Sequence, residues 1–230
     1  MKKMAVLGVV APLLFVVACT CCASARAQSL EATLEHKVAS FDLEDSPVRR
    51  CLEELTARYD FTVGFESIPE LPQTQPQKIN LRVENGTVRD VLNELVSQDT
   101  RYKWIVSAQA INVLPVVAGE PWMDAVIEHY KVDKVNRDEA VDALLASPEI
   151  QSASGHRVPK RRELRSLPGV ATSDLTRFSL ELRHATVRSI LNAIAKSDHT
   201  SVWIYLRYGK DGKYSSIKFT NLVTIIHRPG

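Results

Sequence analysis

Two stretches of this sequence combine residue types and spacings suited to chemistry at a membrane surface. Val16-Val17-Ala18-Cys19 has the form of a bacterial lipobox, in which the cysteine after a small residue is acylated and becomes the first mature residue. Each buried methylene contributes about 0.8 kcal/mol, so several acyl chains on Cys19 would tether the protein to a membrane. Ala25-Arg26-Ala27 competes as an A-x-A site for signal peptidase, and cleavage there leaves a soluble chain beginning at Gln28. The one concentrated basic run is His156 to Arg165. Arg157, Lys160, Arg161, Arg162 and Arg165 form a candidate docking patch for anionic headgroups, acidic polysaccharide or an acidic partner, against the plainer reading of a solvated loop.

Other reactive residue types are not arranged for catalysis. The six histidines (His36, His129, His156, His184, His199 and His227) fall in no HxxxH or HExxH spacing, and no CxxC occurs after the signal segment, so no metal site is expected. There is no Gly-x-Ser-x-Gly elbow and no glycine-rich phosphate loop, so no catalytic or cofactor-binding residue is assigned and no cofactor is expected. Cys51 sits on the apolar face of a predicted helix and reads as a small buried hydrophobe. Trp104 and Trp203 read as a repeated core or sheet-face position, with ligand stacking the alternative.

Lys2, Lys3 and the apolar run Met4–Ala18 make residues 1–27 a signal segment, too short to span a bilayer comfortably. Removing it takes away Lys2, Lys3 and Arg26 and no acid. The 29 basic and 27 acidic residues become 26 and 27, a formal net charge of −1 in place of +2. No domain-wide positive field remains for nucleic acid, and a lipid on Cys19 is the only expected link to a membrane.

The elements that would position any site repeat along the chain. Ile79–Leu95 matches Phe178–Ile194 without a gap at a constant offset of 99, and the same offset carries Trp104 onto Trp203 and Asp99 onto Asp198. A third copy, Phe41–Leu55, lies 40 residues upstream of the first, and a weaker fourth runs from Tyr130 to Leu145. Within each copy the apolar period switches from two to three and four: Ile79, Leu81 and Val83 alternate as in a strand, and Val88, Val91, Leu92 and Leu95 step as in a helix. Ser46 before Pro47 predicts an N-cap, Asn85-Gly86-Thr87 predicts a similar start, and His184 suits a turn. Strands are expected at Phe61–Phe65, Tyr102–Val106, Ile111–Leu114, Val202–Tyr208 and Ile217–Ile226, with a hairpin turn at Lys210-Asp211-Gly212-Lys213. Ile68–Gln77 reads as a loop and 152–173 as an irregular insertion.

The expected fold is α+β: two small domains, 38–115 and 122–230, each of repeated β-α-β units with short helices packed on small mixed sheets. The strand, Pro- or Thr-led helix and Leu-x-x-Leu ending, as in Phe41–Leu55 and Ile79–Leu95, resemble the short periplasmic (STN) domain of secretins and TonB-dependent receptors. Tyr130–Leu145 resembles the first half of a following secretin N-domain. The resemblance implies βαββα-type periplasmic domains that bind other proteins or line a ring, without catalysis. No secretin pore segment or receptor barrel follows in these 230 residues. The expected function is that of a non-enzymatic envelope protein that binds another envelope protein through exposed sheet edges. An enzyme acting on an envelope polymer, with a cleft in the second domain, is the alternative, and a component of a secretion or pilus assembly is a third reading.

Overall fold

Two amphipathic helices from each half of the chain bury one face and so require a sheet on either side. The computed structural model describes residues 30–69, 77–107, 110–117, 119–153, 176–208 and 214–220. The first half runs α1 (30–34), β1 (Lys37–Pro47), α2 (Val48–Tyr59), β2 (Val63–Glu66), β3 (Lys78–Thr87), α3 (Val88–Gln98), β4 (Tyr102–Ser107) and β5 (Ala110–Pro115). After a 3-10 turn at Pro121–Asp124, the second half continues with β6 (Val126–Val135), α4 (Arg137–Leu145), α5 (Pro148–Ala153), β7 (Phe178–Thr186), α6 (Val187–Ser197), β8 (Val202–Tyr208) and β9 (Tyr214–Thr220). The fold is α+β.

Antiparallel ribbons β1–β3 and β6–β7 flank a central sheet of order β4-β5-β2-β8-β9. Its middle strands are parallel, β2 to both β5 and β8, and the edges β4 and β9 are antiparallel to their neighbours. The repeats expected at 38–115 and 122–230 therefore meet in one sheet. Alternation along β8 sends its side chains to opposite faces. Val202 and Ile204 join a core formed with α2, α3 and the β1–β3 ribbon. Trp203 and Tyr205 join a second core formed with α4, α6 and the β6–β7 ribbon. The layers thus run ribbon, helices, sheet, helices, ribbon.

The helix faces follow the apolar spacing. Val48, Cys51, Leu52 and Leu55 of α2 and Val88, Val91, Leu92 and Leu95 of α3 are all buried, each such aliphatic side chain contributing roughly 1.5–3 kcal/mol. Burial pushes the Cys51 thiol up to about 11. On α6 the buried face is Val187, Ile190, Leu191, Ile194 and Ala195.

All four repeat units enter their helices through the same bend. Asp45, Asn85, Lys134 and His184 have φ of 48°, 54°, 50° and 48°, and each lies two residues before a helix N-cap. Thr87 and Asn136 then close capping boxes with Asp90 and Glu139, and the Thr186 hydroxyl accepts from the Ser189 N–H. At α2 the N-cap is Pro47 and not Ser46, because strand pairing of β1 reaches Pro47 and the Ser46 hydroxyl donates to the Glu44 carbonyl at 2.9 Å. The β8–β9 hairpin forms, although its turn residues Lys210–Lys213 lie outside the described residues. So do 70–76 of the Pro/Gln-rich loop and 221–226 of the last predicted strand. Residues 148–153, expected to be irregular in part, form α5.

Candidate functional site

Three features of the central sheet are candidates for function: its β4 edge, the carboxyl ends of its parallel strands, and the buried charges that tie its halves together. At the edge, β4 pairs only with β5 among the described residues. Its outer edge has no partner strand among the described residues and lies beside the exposed apolar side chains of Ile105 and Val106. Trp104 is half-buried and packs on the first core. Its indole Nε1 donates to Asn93 Oδ1 at 3.1 Å, and the Arg89 guanidinium lies 5.9 Å from its ring centroid. The second half repeats the bond: Trp203 Nε1 donates to Asn192 Oδ1 at 2.6 Å, with Trp203 fully buried. The two tryptophans are thus equivalent sheet-face residues that differ in exposure.

At the carboxyl ends of β2, β5 and β8 there is a cavity of about 510 Å³. Ile68, Pro69, Pro115, Val116 and Val117 supply its apolar wall, and Glu66, Glu120 and Arg207 its polar one. Each carboxylate faces an arginine. Glu66, almost fully buried, accepts from Arg188 Nε at 2.6 Å, and Glu120 is ion-paired with Arg207. Arg188 also bonds Asp124, so one buried guanidinium links β2, α6 and the 3-10 turn. Burial raises the Glu66 carboxyl above its ordinary range, opposed by the hydrogen bond and charge of Arg188. Both carboxylates are thereby tied to arginines of other elements.

Gly64 and Asn112 sit beside Trp203 on the second face of the sheet. Gly64 is in register with both, and a Cβ on it would lie 2.4 Å from the Trp203 ring and 2.6 Å from Asn112 Oδ1. Asn112 is fully buried, and neither amide atom has a hydrogen-bond partner among the described residues.

Of the residues singled out in the sequence, Cys19, Arg157, Lys160, Arg161, Arg162 and Arg165 lie outside the described residues. His129 and His184 pair with Glu181 and Glu128, and His36 packs tilted against Tyr59 with ring centroids 5.3 Å apart. Among the described residues no group of three or more His, Cys, Asp or Glu is placed to hold a metal ion, and no helix is long and apolar enough to cross a membrane. Glu66, Glu120 and Arg188 escaped the sequence reading because only the fold brings them together. Gly64 did carry a signal, since a lone glycine within a strand often marks close approach of a neighbour. Comparison with protein-family models, curated proteins and solved structures finds no match.

Proposed function

We propose that this chain is an exported, non-enzymatic envelope protein that binds another envelope protein by adding a strand to an exposed sheet edge. The observation that carries the reading is the β4 edge, which has no partner strand among the described residues and runs beside exposed Ile105 and Val106. The β-α-β-β-α order of β1 through α3 supports kinship with the short domain of secretins and TonB-dependent receptors. The arginine-bound carboxylates of the cavity favour binding over catalysis. A photo-reactive residue at Ile105, in cells making the whole chain, tests the proposal. The expected result is a discrete cross-linked partner from this position, lost on Val106→Asp and not obtained from a probe at Arg49 on α2. The same products from both positions, or none from Ile105, would overturn it.

A further inference from the structure

The molecule contains its own example of a strand added to this kind of edge. The offset of 99 that relates the repeats places β4 on β8: Lys103, Trp104, Ile105 and Val106 occupy the places of Val202, Trp203, Ile204 and Tyr205. Both strands belong to antiparallel hairpins, β4–β5 and β8–β9. The outer edge of β8 is occupied by β2, in parallel, with Val63 opposite Val202, Gly64 opposite Trp203, Phe65 opposite Ile204 and Glu66 opposite Tyr205. The corresponding edge of β4 has no partner strand among the described residues. Exposure records the difference. Ile204 and Tyr205 are 1% and 3% exposed, whereas their counterparts Ile105 and Val106 are 39% and 50% exposed.

We infer that β4 accepts an extended segment of a partner protein as an added strand, parallel to β4, with a small residue opposite Trp104 and an apolar residue opposite Ile105, as Gly64 and Phe65 stand opposite Trp203 and Ile204. This rests on the strand-addition reading and gives it a direction, a register and a pattern. The small residue follows from the indole. Trp203, held by Asn192, lies so close over Gly64 that a Cβ there would be 2.4 Å from the ring, and Trp104 is held by Asn93 through the same bond. A glycine opposite Trp104 lets the backbone approach under the ring, while a large side chain would push the strand off the ladder. In the parallel register the residue opposite Lys103 shares its face, and an acidic side chain there would pair with the exposed ammonium.

The probe is a synthetic peptide with the sequence of residues 61–67, which contains β2, carrying a nitroxide at its amino end and titrated to millimolar concentration into the chain from Gln28 onward. Trp122 and Trp203 are buried, so Trp104 reports binding by a blue shift of its emission. The expected result is saturable binding with amide broadening at Tyr102 and Lys103. A peptide with leucine in place of the glycine should bind at least about tenfold more weakly, and Val106→Asp, at an exposed site, should abolish binding. Broadening at Val106 and Ser107 would mean an antiparallel strand, and broadening at Val202–Tyr205 would mean displacement of β2. Either result, equal affinity for the leucine peptide, no change at β4, or a dimer cross-linked through Ile105 would overturn the inference. Photo-cross-linking from Ile105 separates the two readings: if it persists while the peptide fails, only the parallel register falls.

Discussion

A single methyl group added at Gly64 would meet the Trp203 ring and the Asn112 amide, neither of which has room to yield in a fully buried row. Gly64→Ala is therefore expected to destabilise the fold by about 1–3 kcal/mol, read as a lower urea midpoint at unchanged slope. Glu66 offers a test with the opposite dependence on acid from that of most carboxylates. Burial raises its carboxyl in the folded chain, so the native state favours the protonated form more than the unfolded chain does. Its contribution is fully present below the ordinary carboxylate pKa and is lost as pH rises through the raised value. The stability of the unaltered protein relative to Glu66→Gln should accordingly increase as pH falls from neutral toward about 4. A difference that stays flat across this window would show that Arg188 cancels the effect of burial. Neither Glu66 nor Arg188 announces this pairing in the sequence, because Arg188 is related by repeat to Arg89, which pairs at the surface with Glu31 and Glu35.

At the scale of elements, the sequence was most legible where a period could be counted. The buried faces of α2 and α3 are the predicted ones, and the strand Val202–Tyr208 has its predicted limits. The shared left-handed bend before each helix was not legible as a motif, because four different residue types, Asp45, Asn85, Lys134 and His184, occupy it. Asp, Asn and His accept this conformation comparatively well, and lysine has no such local compensation. Lys134→Gly is expected to stabilise the chain by up to about 1 kcal/mol, since the exposed side chain contributes little and the positive φ is relieved. Thermal and urea unfolding of the purified variant would check the sign. In the same units, Thr87→Ala removes one side of the capping box of α3 and should lower stability by about 1 kcal/mol.

For the molecule as a whole, the decisive contact is β2 against β8, and periodicity alone could not supply it. A period of two assigns side chains to faces and says nothing about which strands share an edge. One clue was present: Val202-Trp203-Ile204-Tyr205 is apolar at every position, as a strand covered on both faces should be, whereas β4 places Lys103 in the equivalent run. Because both cores draw side chains from β8, the whole chain should unfold in one transition, with far-UV circular dichroism and tryptophan fluorescence superimposing in urea. Two separated transitions would show that the halves are stable alone.

The β2–β8 pairing also sets an order of events as the chain emerges to fold. Glu66 at the end of β2 must wait for Arg188, 122 residues downstream, and β2 gains its second neighbour only when β8 follows. Contacts so distant along the chain close slowly. Until they close, the emerging first half carries an unsatisfied strand next to Phe65 and a buried-type carboxylate with no cation. That intermediate would be sticky and short of stability, which makes completion of the second half the step that commits the protein to its final shape.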